Sequence, residues 1–180
     1  ISGDTTEAGG TATFTVVLDS EPTADVMIDL SSDDTTEGTV APASLTFTPA
    51  NWDDVQTVTV TGVNDDVDDG DIAFSIITAP ATGGDYAGLN PTDVTVTNTD
   101  DDTAGFTLSK TTATVSEDGT NVVDAFTVVL DSEPVSDVVI DLSLSANPDA
   151  AIDKSSLTFT SLNWDTAQTV NVTGLDDDID

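Results

Sequence analysis

QTVTVTG, residues 56–62, alternates valine with threonine through its centre. A period of two sends Val58 and Val60 to one face and Thr57, Thr59 and Thr61 to the other, which predicts a half-buried β-strand. A near copy, QTVNVTG, stands at 168–174. Working outward, SLTFT at 44–48 returns at 156–160, NWD at 51–53 returns at 163–165, and FTVVLDSEP at 14–22 returns at 126–134. Every pair is separated by 112 residues. One constant offset over so many segments predicts a tandem repeat.

The other strand signals fall around this one. TATFTVVL (11–18), DVMIDL (25–30), SLTFT (44–48), IAFSII (72–77) and DVTVTN (93–98) are rich in β-branched residues and largely alternate. Helical periodicity is absent. With an N-terminal strand added, each unit of roughly 100 residues holds seven short strands, the pattern of an immunoglobulin-like sandwich. The expected fold is therefore all-β, with tandem seven-stranded sandwiches over 1–102 and 103–180. The first strand of copy 1 is partly missing, and copy 2, ending in GLDDDID (174–180), lacks its last two strands. The sequence reads as a window on a longer array. Trp52 and Trp164 fall in turns, where they are expected to cap the ends of the sandwiches.

Composition narrows the function. Against 35 Asp and Glu stand 2 Lys and Arg, a formal charge of −33, with no His and no Cys. Repulsion would dominate any approach to nucleic acid or an anionic membrane, so neither partner is expected. No apolar run reaches transmembrane length and no signal peptide is seen, which places any export signal outside the sequence. Without cysteine there are no disulfides or thiolate metal sites, and a secreted domain then needs another staple. Oxygen ligands remain in quantity, and they suit hard cations such as calcium or magnesium.

The acids are not spread evenly. VNDDVDDGD (63–71) packs five aspartates, Asp65, Asp66, Asp68, Asp69 and Asp71, into seven positions. In a sandwich whose strands alternate up and down, the A–B turn, C–D loop, E–F loop and the end of the last strand share one pole. That pole collects Glu7, Asp33, Asp34, Glu37, the 65–71 cluster and Asp100, Asp101 and Asp102, next to the start of the second repeat. Gathered carboxylates are costly alone but supply the six to eight oxygens that calcium takes, and the backbone carbonyl of Val67 could add one. Gly70 permits a sharp bend within the cluster. Without cation, repulsion would leave the joint loose; with cation, the loops would lock. The competing reading is a merely solvated acidic surface, but GLDDDID repeats the cluster in copy 2. Asp131, Glu133 and Asp137 suggest a polar turn more than added ligands, and Asp85 in GGDY (83–86) a turn residue.

These residues resemble a known family. VNDDVDDGDIAF (63–74) looks like the acidic E–F loop of Calx-beta domains, with its run of acids followed by a core phenylalanine. TVSEDG (114–119) resembles the glutamate at the end of that family's first strand, and NTDDD (98–102) its closing acidic triplet. The resemblance implies calcium at the distal tip. It makes Glu7, Asn64, Asp65, Val67 (through its carbonyl), Asp69, Asp100, Asp101 and Asp102 candidate ligands, with Asp71 from the same loop. In copy 2 it points to Glu117, Asp176, Asp177 and Ile179. Three features depart from the family: Asn64 stands where it prefers an acid, aspartates replace the glutamates of the loop's second half, and SSDDTTEGTVAP (31–42) lacks its usual C–D pattern. Similar Thr- and Asp-rich tandem repeats occur in giant bacterial surface proteins, adhesins and fibres.

An enzyme is not expected: the chain has no His, Cys or Arg, and its 5% of aromatic residues are mostly strand phenylalanines. The reading that follows is a calcium-stiffened spacer in a secreted or cell-surface, bacterial protein. Its expected partners are neighbouring repeats of the array and, in a fibre, identical chains. The alternatives are an adhesive module for a glycan or partner subunit, and a fibre subunit that assembles by strand complementation.

Overall fold

The alternation of valine and threonine carries directly into the strands. A computed structural model describes residues 1–116, 123–145 and 149–176. The chain divides into two compact units, one of residues 1–65 and 69–101, the other of residues 66–68 and 102–180.

The first unit holds eight strands: β1 (Thr5–Thr6), β2 (Thr11–Val16), β3 (Val26–Ser32), β4 (Gly38–Ala41), β5 (Ser44–Phe47), β6 (Gln56–Gly62), β7 (Ile72–Thr78) and β8 (Val94–Thr99). They form a five-stranded sheet ordered β1-β8-β7-β3-β5 and a three-stranded sheet ordered β2-β6-β4. Every pairing is antiparallel except that of β1 with β8, which is parallel. Phe14, Val58 and Val60 from the smaller sheet meet Val26, Ile28, Leu45, Phe47, Phe74, Ile76 and Val96 from the larger one in a single buried core. This is the immunoglobulin-like sandwich that the sequence predicts. On the outer face of the smaller sheet, three threonine pairs stand opposite one another across β2 and β6: Thr11 with Thr61, Thr13 with Thr59, and Thr15 with Thr57. Trp52 packs against the core, and its carbonyl accepts a hydrogen bond from Leu18 N–H at 3.2 Å.

One strand has no clear signal in the sequence. Residues 31–42 carry no alternating run long enough to predict one, yet Gly38–Ala41 pairs with β6. Long-range packing explains it. A Cβ built at Gly38 would lie 2.2 Å from Cζ of Phe74, so the ring closes directly over the backbone here and seats β4 on the core. Gly38→Ala is expected to destabilise the first unit by about 2 kcal/mol, the cost of overpacking a filled core. A urea midpoint equal to the parent's would contradict this seating.

The second unit holds six described strands: β9 (Phe106–Leu108), β10 (Val123–Leu130), β11 (Val138–Asp141), β12 (Ala150–Ile152), β13 (Ser156–Phe159) and β14 (Gln168–Gly174). They form sheets ordered β12-β14-β10-β9 and β11-β13. β10 to β14 begin 112 residues after β2 to β6, strand for strand. Val128, Leu130, Leu157, Phe159 and Val170 make its buried core, with Trp164 packed against it. Both lysines of the chain lie in this unit and pair with aspartates, Lys110 with Asp124 and Lys154 with Asp153. The Lys110 ammonium and the N–H groups of Thr114 and Ala125 hold the Asp124 carboxyl at about 2, below the ordinary range.

Among the described residues the single helical turn is a 3₁₀ segment, Gly84–Tyr86, where Asp85 accepts a hydrogen bond from the Thr23 hydroxyl at 3.2 Å. Asp131 likewise accepts from the Thr107 hydroxyl at 2.8 Å. No helix among the described residues is long and apolar enough to cross a membrane.

Candidate metal centre

In the first unit, four separate segments bring acids to one end of the sandwich. Glu37 precedes β4, Asp65 and Asp69 follow β6, Glu7 follows β1 and Asp100 follows β8. The segments are held by hydrogen bonds between their own groups. Glu7 N–H donates to the Thr99 carbonyl at 3.1 Å, and Val63 N–H donates to the Glu37 carbonyl at 3.0 Å. Gly70 N–H donates to Asp100 Oδ2 at 2.7 Å, while Asp100 N–H donates to Asp71 Oδ1 at 3.2 Å. Asp101 N–H donates to Glu7 Oε2 at 3.4 Å. Gly70 has a φ of +80°, the left-handed bend that its position in the acidic run predicts.

Two sets of carboxylates result. Glu37, Asp65 and Asp69 each offer an oxygen within 4.8 Å of the other two, and Glu7 and Asp100 offer oxygens within the same distance of each other. Calcium holds its oxygens at 2.3–2.6 Å, so two oxygens on one ion stand no more than about 5 Å apart. The spacing therefore fits a shared ion. Burial adds to the case: Glu37 is 7% exposed and Glu7 3% exposed. A buried carboxylate costs several kcal/mol, roughly, unless a cation or strong donors stand beside it. The first unit contains no lysine, arginine or histidine. Burial pushes the Glu37 carboxyl above its ordinary range; Asp69, Asp34 and Asp65 push it the same way, and the Asn98 amide opposes them. Asp34 shows the opposite balance, held below the usual range by the hydroxyl and N–H of Thr36.

The sequence-derived candidates fall as follows. Glu7, Asp65, Asp69 and Asp100 belong to the two sets. Asp71 is exposed and accepts from Asp100 N–H. Asn64 is exposed, and its side-chain amide donates to the Asp65 carbonyl at 2.6 Å. Asp101 is exposed and enters through its N–H. Val67 and Asp102 are half-buried and belong to the second unit. Asp176 is exposed in that unit, while Glu117, Asp177 and Ile179 lie outside the described residues. Glu37 is the addition. The sequence puts it on the acidic pole but gives no reason to rank it above Asp33 or Asp34. Its burial, set by the pairing of β4 that follows, makes the distinction.

No family model matches the sequence, and no curated protein is similar to it. Among solved structures the chain is similar to CBD12 from CALX1.2, at 18% identity over 98% of this chain and 73% of that one, with a TM-score of 0.44. It is similar in the same degree to the calcium-binding domain CBD12 of CALX1.1, at 19% identity over 97% and 73% of the two chains, with a TM-score of 0.44. Domains 5–6 of the S-layer protein SbsC match at 16% identity over 98% and 80%, with a TM-score of 0.29. At such scores the likenesses carry no weight for the site, which rests on this chain's own carboxylates.

Proposed function

We propose that this chain is a structural spacer of a secreted or cell-surface protein, a stretch of β-sandwich repeats stiffened by calcium at its acidic loops. The observation that carries this reading is the buried Glu37 carboxylate, within 4.8 Å of Asp65 and Asp69 in a unit that has no cationic side chain of its own. A divalent cation would supply the missing positive charge and bind the loop after β6 to the segment before β4. Glu37, Asp65 and Asp69 are its proposed holders at one position, and Glu7 and Asp100 at another. Asp102, two residues beyond Asp100, is the proposed third ligand of the second position. Repulsion among these acids favours a loose joint when the metal is absent, and the same acids favour a fixed one when it is bound.

The absence of histidine, cysteine and arginine from the sequence speaks for a structural role rather than a catalytic one. An adhesive glycan site is not favoured, because Trp52 and Trp164 are packed against the cores and the Tyr86 hydroxyl is engaged by Ser20. Extracellular calcium modules bind at about 0.1–1 mM, which fills such sites outside cells. Small-angle scattering of the full chain tests the stiffening. Millimolar calcium is expected to lengthen and narrow the distribution of end-to-end distances, and EDTA to broaden it. Superimposable profiles in the two conditions would defeat the spacer mechanism.

A further inference from the structure

Asn98 is a fully buried amide beside the acids, at 1% exposed, next to the equally buried Thr5. It lies on β8, two residues before Asp100, and is paired in parallel register with Thr5 of β1, two residues before Glu7. All of its polar atoms are engaged. The Thr5 hydroxyl donates to Asn98 Oδ1 at 3.0 Å, which fixes the amide with its nitrogen pointing the other way. That nitrogen donates to the Val63 carbonyl at 2.9 Å, just ahead of Asn64 and Asp65, and to Glu37 Oε2 at 3.4 Å. Space around the amide is closed as well: a Cβ built at Gly62 would lie 2.4 Å from Asn98 Oδ1 and 2.3 Å from the Thr6 carbonyl. One amide therefore touches the strand leading to Glu7, the strand leading to Asp100, the turn leading to Asp65, and the Glu37 carboxylate itself.

From this geometry we infer that Asn98 is a positioning residue that orients the Glu37 carboxylate for a divalent cation and ties the two acid sets into one unit. The inference rests on the calcium reading above. A valine or leucine would fill a sandwich interior at this place more cheaply, because a buried amide gains little unless each of its hydrogen bonds is made. What the amide adds is direction. Its donors reach one oxygen of Glu37 and the Val63 carbonyl, so the Glu37 head group and the segment entering Asp65 are fixed relative to each other before any ion arrives. A ligand set ordered in advance binds more tightly because less freedom is lost on binding.

The test is calcium titration of the full chain by calorimetry, together with melting in calcium and in EDTA. It compares the parent with Asn98→Leu, Thr5→Val and, as a packing control on the same strand, Val96→Ala. Asn98→Leu keeps the branching at Cγ, though with more bulk, but removes the donors, and is expected to weaken calcium binding about tenfold, the effect of losing a hydrogen bond to a charged group. The calcium-induced rise in melting temperature should shrink with it. Thr5→Val leaves the donors but releases the amide, and is expected to weaken binding by roughly threefold. Val96→Ala should lower both melting temperatures and leave the affinity unchanged. If Asn98→Leu or Thr5→Val melts lower in both conditions with the parent's affinity and the parent's calcium-induced rise, Asn98 is a core residue only and the inference is overturned. Should Asn98→Leu fail to fold, Thr5→Val decides alone. A parent chain that shows no calcium uptake would remove the calcium reading and this inference together, an outcome distinct from the variants alone behaving like the parent.

Discussion

Transfer of the calcium-loaded protein into EDTA is expected to lower the melting temperature of the first unit by about 10–20 °C. A ligand present at a hundred times its dissociation constant, about 10 mM calcium for a site at the tight end of the extracellular range, stabilises the folded state by about 2.7 kcal/mol. For a domain of this size each kcal/mol moves the midpoint by roughly 4–8 °C. Two properties of the site make the effect large. The acids meet from four segments far apart in the chain, so an unfolded chain has no equivalent site to offer. Glu37 and Glu7 are also buried where the unit has no cationic side chain to balance them. Magnesium should produce a much smaller rise, because it demands a tighter octahedral shell and gives up its water reluctantly. Calorimetry in calcium, in magnesium and in EDTA checks this, and coincident melting curves would rule out a structural ion in this unit.

The second large effect is a change of sign. The double variant Asp65→Asn/Asp69→Asn should melt lower than the parent in calcium and higher than the parent in EDTA. In calcium it has lost two of the three carboxylates of the proposed ion position. In EDTA it has lost two charges that repel Glu37 at close range, a gain of about 1 kcal/mol once solvent screening at these half-buried and exposed positions is allowed for. An acid whose role is only to hydrate the surface would shift both curves slightly and in the same direction.

The pH dependence of the metal-free protein follows from the same cluster. Burial, and after it Asp69, Asp34 and Asp65, hold the Glu37 proton to a higher pH in the folded state than in the unfolded chain. Its ionisation therefore costs stability. That cost is absent below the ordinary glutamate range and grows as pH rises from there through the raised value. The double variant should flatten this fall, which denaturant titrations in EDTA across that range would measure.

Much of the sandwich was legible because its signal is local. Val58 and Val60 alternate with threonines, and they lie at the centre of the core. Trp52 and Trp164 were expected over the sandwich ends, and each packs against the core of its unit. The same holds for the acids: a run such as 65–71 without a single lysine raises the question of a cation by itself. What could not be read depends on distant partners. β4 is short, and what holds it is distant: it pairs with β6, and the ring of Phe74, thirty-six residues further on, closes over Gly38. Glu37 looks no different from Asp33 or Asp34 until β4 buries it. Asn98 sits in an alternating strand where an inward-facing amide looks like an interruption; its meaning appears once Thr5, Val63 and Glu37 are found around it.

The facing threonines on β2 and β6 bear on how such a weakly hydrophobic chain folds at all. Folding must freeze side chains, and long charged ones have the most rotamer freedom to lose. A threonine is already restricted by its branched Cβ before the chain collapses. With Thr11, Thr13 and Thr15 set against Thr61, Thr59 and Thr57, that flank is covered by groups with little disorder left to surrender. A thin core can then suffice, and the flexible carboxylates are concentrated at the loop ends, where an ion can organise them.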